Sequence, residues 1–297
     1  MSRILLITGG TGTLGSHLVR AAAKSRDWDE VHATYHTLNP NFHKISWHYM
    51  DARNYIHPTL TRVKPTCIIH TMAMSSIVEC ERKKLDAWQV NVKATTEVIN
   101  YANINGASVV FTSTDLVFDG TKGRYEITDV PSPINFYGDS KFEAENEILE
   151  NLTGARYVIA RLSLLYGLNL NQRLNFFDTM YNRIRNGPPI DLFDDEYRSF
   201  ASVANIAEAL LELATGNYQG IVHLGGPDRM SRYTFGLSLA RLLNLPQSNI
   251  RSAKQADHVS IGRRPADVSL DISRTKEVIK TRLQSAEEGL RQMFGLQ

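Results

Sequence analysis

Three observations predict a doubly wound α/β protein, a parallel sheet covered by helices on both faces. Short and almost wholly apolar runs recur along the chain. Segments with helical spacing separate them. The first run ends in a cluster of glycines that opens the first of those segments. Strands this apolar are buried on both faces, as parallel strands are, and the intervening helices are the crossovers that parallel strands require. With 297 residues, 42% of them hydrophobic and 22% charged, the chain has material for one large domain or two interleaved ones.

"RILLIT" (3–8) is the first strand, and "TLGSHLVRAAAKS" (13–25) follows as a helix with Leu14, Leu18, Val19 and Ala22 on one side. "EVHATY" (30–35), "ISWHY" (45–49) and "TCIIH" (66–70) read as the next three strands. "LDAWQVNVKATTEVINYANIN" (85–105) reads as a long helix and "SVVFTS" (108–113) as the fifth strand. "NFYGDSKFEAENEILEN" (135–151) is a helix with Phe142, Ile148 and Leu149 as core contacts, and "RYVIARL" (156–162) is the sixth strand. Past residue 165 the rhythm loosens. "GPPIDLF" (187–193), "LGGPDRMS" (224–231) and "GRRPADVS" (262–269) read as Gly/Pro-punctuated loops between helices at 173–185, 203–215 and 231–243. "GIVHLGG" (220–226) reads as a strand returning to the sheet.

Composition excludes several classes. A net charge of +2, without a block of one sign, gives no footprint for a nucleic-acid partner. The nine histidines lack metal-ligand spacing, so no metal is expected. Cys67 lies in an apolar run and Cys80 is far from it in sequence. With no CxxC, a reduced, cytoplasmic setting is expected. No apolar run reaches the ~18 residues of a membrane span, and the N-terminal run lacks the pattern of a signal peptide.

"TGGTGTLG" (8–15) reads as Gly10-x-Gly12-x-x-Gly15 or as Gly9-x-x-Gly12-x-x-Gly15. Between a strand and a helix, such glycines permit a tight turn, let a pyrophosphate approach the backbone and leave the helix N-terminus free to bind it. This predicts a Rossmann dinucleotide site. Residues 1–165 are then the dinucleotide-binding domain, with returning segments near 198–225, and residues 166–297 are mainly a smaller, irregular substrate-binding lobe. NAD sites carry an acid at the end of the second strand. Here that end is "ATYHT", with Asp29 and Glu30 at the opposite end. NADP(H) is therefore favoured, with NAD(H) as the alternative. His36 is the residue available to a 2′-phosphate, and no arginine adjoins it in the sequence.

"FYGDSK" (136–141) places Tyr137 and Lys141 four apart, on one face of a helix. Tyr-x-x-x-Lys downstream of such a glycine turn resembles the extended branch of the short-chain dehydrogenase/reductases. The run from "STDLVFDG" (113–120) through Tyr125, Glu126, Asp129, Pro131 and Pro133 to "YGDSK" is similar to the dTDP-4-dehydrorhamnose reductase family. The methionine adenosyltransferase β subunit belongs to the same group. "VNV" (90–92), "RLSLLYG" (161–167), "NFF" (175–177) and "RPADVSLD" (264–271) extend the resemblance over nearly the whole chain.

By position, the resemblance implies that Thr114, Tyr137 and Lys141 are catalytic. It implies that Gly9, Gly12, Thr13, Leu14 and Gly15 hold the phosphates, and that Asp51 and Ala52 contact the adenine. Met72, Ala73, Asn91 and Thr112 are implied around the cofactor. Thr114, Asn175, Arg198 and Arg264 are implied at the substrate, the two arginines on a pyrophosphate. The implied activity is NADPH-dependent reduction of a 4-keto-6-deoxy nucleotide sugar by a homodimer. Another nucleotide-sugar epimerase or reductase, or a non-catalytic NADP-binding regulatory subunit, are the alternatives. His70-Thr71-Met72-Ala73 stands where the family has Asn-Ala-Ala, and Val78-Glu79 where it favours Val-Asp.

The chemistry accounts for the residue types. A free tyrosine, with a pKa near ~10, is a reluctant acid–base near neutrality, and a neighbouring ammonium favours its phenolate. Thr114 is suited to hydrogen-bond a carbonyl oxygen as charge builds on it. Leu116 stands where a dehydratase would carry the second acid of its Asp-Glu pair.

Overall fold

The computed structural model describes residues 2–38, 40, 42–171, 174–258 and 261–296. The sheet-building half runs β1 (Ile4–Thr8), α1 (Thr13–Ala22), β2 (Glu30–Tyr35), β3 (Ser46–Tyr49), α2 (His57–Val63), β4 (Cys67–His70), α3 (Ile77–Arg82) and α4 (Lys84–Trp88). A π-helical turn at Gln89–Lys93 leads into α5 (Ala94–Asn105), β5 (Ser108–Thr114), α6 (Phe136–Asn151) and β6 (Tyr157–Leu162). Then follow β7 (Leu165–Tyr166), α7 (Phe176–Asn186), β8 (Ile190–Phe193), β9 (Tyr197–Arg198), β10 (Ala201–Ser202), α8 (Val203–Thr215) and β11 (Gly220–Leu224). The chain closes with β12 (Met230–Ser231), α9 (Arg232–Leu242), β13 (Ile250–Ala253), α10 (Ser273–Val278) and α11 (Ala286–Phe294).

Seven strands form one sheet in the order β11-β6-β5-β4-β1-β2-β3. All of its pairings are parallel. Alternation along β1 explains the two cores. Leu5 and Ile7 face α1 and α8, where they meet Leu14, Leu18, Val19 and Leu210. Leu6 faces the other way, with Val98 and Ile99 of α5 and Ala144 and Ile148 of α6. A third core, around Tyr166, Phe177, Phe200, Phe235 and Leu290, belongs to the C-terminal elements. The doubly wound sheet and the returning strand β11 are as the sequence predicts.

Four expectations need correction. Leu149 is exposed rather than in the core, because Ile148 already occupies the inward position of α6. Residues 190–193, read as loop, pair with Ile250–Ala253 as a parallel two-stranded ladder. The long helix at 85–105 is interrupted by the π turn. The helix expected from 173 begins at Phe176, and Arg173 lies outside the described residues.

The strand order reverses between β1 and β4, and the cleft lies there, at the carboxyl ends of the strands. Gly15 makes that approach possible. A Cβ at this residue would lie 2.1 Å from the Gly9 carbonyl oxygen and 2.8 Å from Gly10 Cα. Neither backbone can yield without moving β1 from α1. Gly15→Ala is therefore expected to lower stability by about 1–3 kcal/mol, an overpacking cost, and to abolish nucleotide binding. Urea unfolding beside dinucleotide titration checks this. An alanine variant of unchanged midpoint and affinity would refute the close packing.

Candidate active site

The glycine turn is fastened to the end of β2. Gly9 N donates to Thr34 Oγ1 at 2.9 Å and Gly10 N to the Thr34 carbonyl at 2.8 Å. Gly12 is the N-cap of α1 and brings no side chain to satisfy the first-turn N–H groups, so they face the cleft as anion donors. Leu14 is buried in the core while Thr13 stays at the turn. These residues fit a dinucleotide pyrophosphate. Met72 and Ala73 follow β4 beside the turn, Met72 N donating to Thr8 Oγ1 at 3.3 Å. Thr112 donates instead to the His70 carbonyl at 3.1 Å, tying β5 to β4.

Thr114 ends β5, and its hydroxyl accepts from Leu116 N at 3.2 Å. Asn135 caps α6, accepting from Gly138 N at 2.9 Å. Gly138 lets the helix start pass close to that strand end, since a Cβ there would lie 2.1 Å from the Leu116 carbonyl oxygen. Tyr137, on the first turn of α6, thereby packs against Leu116 and Ile77 beside that strand end. One turn on, Lys141 is buried, with Nζ 3.9 Å from the Phe111 ring centroid, a cation–π contact.

Burial disfavours the charged form of both groups. It raises the Tyr137 phenol above its ordinary value, with Cys80 adding to the effect. It lowers Lys141 from 10.5 to about 7, against the opposing pull of Glu145. Glu145 is itself buried one turn along and held by Arg161, with Nη2 to Oε2 at 2.7 Å. The free site therefore presents a protonated phenol beside a lysine poised near neutrality.

Asn91 lies on the π turn and is almost fully buried. Its Oδ1 accepts from Met74 N at 2.8 Å, and its Nδ2 donates to Ser140 Oγ at 2.9 Å. It braces the loop after β4 against α6. The family departure at His70 is also accommodated internally. His70 Nδ1 lies 2.8 Å from Thr8 Oγ1 and Nε2 lies 3.2 Å from Thr95 Oγ1.

Two of the residues expected at the substrate have other partners. Arg198 is buried and grips Asp115 through Nε to Oδ2 at 2.7 Å and Nη2 to Oδ1 at 2.5 Å. Asn175 caps α7 in a capping box with Asp178, and its Nδ2 donates to the Gly167 carbonyl at 2.8 Å. Arg264 is part-exposed, with Nη1 3.9 Å from Glu196 Oε2. Sequence reasoning passed over Arg232 and Glu196. Arg232 Nη2 lies 2.9 Å from Glu196 Oε1, and its guanidinium lies 4.4 Å from the Phe176 ring centroid. Burial opposes ionisation of Glu196, but Arg232, Arg198 and Arg264 together hold its carboxyl below the ordinary range. Three guanidiniums thus surround two carboxylates, an excess of one positive charge.

At the far end of the cleft, Asp51 and Ala52 follow β3. Arg53 bonds Asp51 through Nε to Oδ1 at 3.0 Å and Nη2 to Oδ2 at 2.7 Å. This fork holds the carboxyl down at about 2. His36 lies alongside, with Nε2 3.5 Å from Asp51 Oδ2. An arginine does stand beside His36, therefore, delivered from the next strand where the sequence around β2 could not show it.

The described residues gather no three His, Cys, Asp or Glu side chains able to hold a metal ion, and none of their helices is long and apolar enough to cross a membrane.

The model of the RmlD substrate binding domain matches residues 2–296. The methionine adenosyltransferase 2 subunit beta of Bos taurus is 29% identical over 92% of this chain and 81% of its own. The dTDP-4-dehydrorhamnose reductase of Aggregatibacter actinomycetemcomitans is 27% identical over 92% of both chains. The fold matches that of a dTDP-4-dehydrorhamnose reductase from Bacillus anthracis, solved in complex with NADP, with a TM-score of 0.83 and 24% identity over 99% of both chains.

The lowered Lys141 value has a measurable consequence. Between pH 7 and 10 the unfolded chain binds this proton and the folded protein does not, so stability contributed here rises with pH and is lost below pH 7. Lys141→Met removes the penalty. The variant is expected to be more stable than the parent at pH 7 by roughly 2–5 kcal/mol, with a flatter pH dependence from 7 to 10. Urea unfolding at pH 6, 7.5 and 9 checks this. Equal slopes for the two proteins would show that Lys141 titrates normally.

Proposed function

Because the chain belongs to the RmlD substrate binding domain family, we propose that it is an NADPH-dependent oxidoreductase acting on a 4-keto-6-deoxy nucleotide sugar, with dTDP-4-dehydrorhamnose as the first substrate to try. The observation that carries this reading is that β1, which opens the glycine turn, and β5, which ends in Thr114, run parallel with only β4 between them, and that Tyr137 and Lys141 lie on the first turns of α6, which packs beside β5. When bound, the nicotinamide supplies the hydride.

The chain's own residues do the rest. The Thr114 hydroxyl, which donates to Asp115 Oδ1 at 3.3 Å in the free site, turns to donate to the substrate carbonyl oxygen, where negative charge develops. The Tyr137 phenol transfers its proton to that oxygen, completing the alcohol. The Lys141 ammonium stabilises the phenolate left behind until solvent reprotonates it. Asp115 does not act as a second acid–base, because Arg198 and Ser163 engage both of its oxygens. This supports a reductase over a dehydratase. The positive excess around Arg232 and Arg264 suits the pyrophosphate of a nucleotide sugar.

A specific observation also favours a second reading, in which the chain binds NADP and regulates a partner enzyme. A curated relative matching nearly the whole chain is a β subunit of methionine adenosyltransferase. Arg198 and Asn175, moreover, are committed to internal hydrogen bonds.

The absorbance loss of NADPH with dTDP-4-dehydrorhamnose, measured beside Tyr137→Phe, separates the two. The parent is expected to consume NADPH and the variant to do so at least ~100-fold more slowly, the scale of general acid catalysis. No turnover by either protein, with NADPH still bound, would remove the reductase reading and leave the regulatory one.

A further inference from the structure

The adenosine end of the cleft carries a feature that the glycine turn does not explain. Two strand exits are tied together there. Gly9 and Gly10 hold the end of β2 against the phosphate turn through Thr34. Met50 N donates to the Tyr35 carbonyl at 2.8 Å, which holds the exit of β3 against the exit of β2. His36, Thr37 and Arg53 consequently meet at one corner. Arg53 Nη2 lies 3.5 Å from His36 Nε2, and Thr37 Oγ1 lies 3.1 Å from His36 Nδ1. All three side chains are exposed at the rim, whereas Asp51 beneath them is only 10% exposed.

We infer that Arg53, oriented by Asp51 and joined by His36 and Thr37, is the recognition site for the adenosine 2′-phosphate and sets the preference for NADP(H) over NAD(H). This rests on the reading of the cleft as a dinucleotide site. The reasoning is electrostatic. A nearby acid accepting the ribose 2′-OH selects NAD, and an arginine at the same corner admits the 2′-phosphate. Asp51 is the acid at this corner, and both of its oxygens are engaged by the Arg53 fork. Its charge is thereby matched, and it is removed as a free ribose acceptor. The bidentate bond fixes the plane of the guanidinium, while Arg53 Nη1 makes no hydrogen bond among the described residues and remains a donor at the rim. His36 and Thr37 add two short polar groups on the β2 side. Asp51 is thus a positioning residue, and Arg53 is the group that meets the phosphate.

The test is equilibrium binding, independent of any sugar. Dissociation constants for NADP+, NAD+, 2′,5′-ADP and 5′-ADP are measured by calorimetry on the full chain and on Arg53→Gln, Arg53→Lys and His36→Gln. The parent is expected to bind NADP+ at least ~10-fold more tightly than NAD+. Arg53→Gln should weaken NADP+ and 2′,5′-ADP by about 10–100-fold, the range for losing a charge-assisted phosphate contact. NAD+ and 5′-ADP should change by less than about 3-fold. Arg53→Lys, which keeps the charge but not the fork, should fall between the two, and His36→Gln should weaken the 2′-phosphate ligands only. Equal weakening of all four ligands by Arg53→Gln, or retention of the NADP+ preference, overturns the inference. A parent that binds NAD+ and NADP+ equally overturns it while leaving the dinucleotide site standing. A parent that binds neither overturns both.

Discussion

A buried guanidinium fork joins the two halves of this chain, and much else depends on it. Asp115 directly follows the last residue of β5, and Arg198 comes from the C-terminal segment 83 residues later. Breaking such a pair by removing one partner leaves an uncompensated charge in the interior, at a cost of about 3–5 kcal/mol. Ser163 extends the link, its hydroxyl donating to Asp115 Oδ2 while accepting from Ser199 N. Glu196, Arg232 and Arg264 extend it further toward the cleft. The end of β5, which carries Thr114, is thus held from the C-terminal side as well as from its own sheet. The same geometry explains why Arg198 does not reach outward. A bidentate bond to a buried carboxylate is stronger than any contact it would make at a hydrated rim.

The proton chemistry follows from burial in the same way. Lys141 lies under the sheet end against an aromatic face, and the nearest opposite charge, Glu145, is already neutralised by Arg161. A lysine so placed gives up its proton readily. The phenol one turn earlier, packed against Leu116 and Ile77, keeps its own. Solvent exclusion therefore separates the two groups into a tyrosine that stays protonated and a lysine that responds near neutral pH.

The strand–turn–helix opening was legible because the rules governing it are local. Apolar runs, glycines and helical spacing each act within a few residues, and the Tyr-x-x-x-Lys pair sits on one helix face for the same reason. Features that depend on distant segments were not legible. The β8–β13 ladder pairs residues 60 apart, and neither strand has the apolar run of a central strand. Arg232 becomes a site residue only when α9 brings it to Glu196, and Arg53 only when β3 is laid beside β2. Leu149 misled for the opposite reason. Its helix has a weak apolar stripe, so spacing did not separate the inward Ile148 from the outward Leu149.

The departure at His70 is better understood as a change of support than of chemistry. Its ring bridges Thr8 at the end of β1 and Thr95 on α5, and it stacks on Phe111 with centroids 5.9 Å apart. Phe111 also lies beneath Lys141. Burial and the nearby Lys141 lower the imidazole to about 3, so it is neutral at neutral pH. Protonating it would place two cations against one aromatic ring in a dry interior, with no carboxylate between them. A neutral bridging histidine avoids that repulsion and satisfies both threonines. It places no second cation against Phe111 beside Lys141, so a residue unlike the family's asparagine is compatible with the same Tyr137 and Lys141 helix beside it.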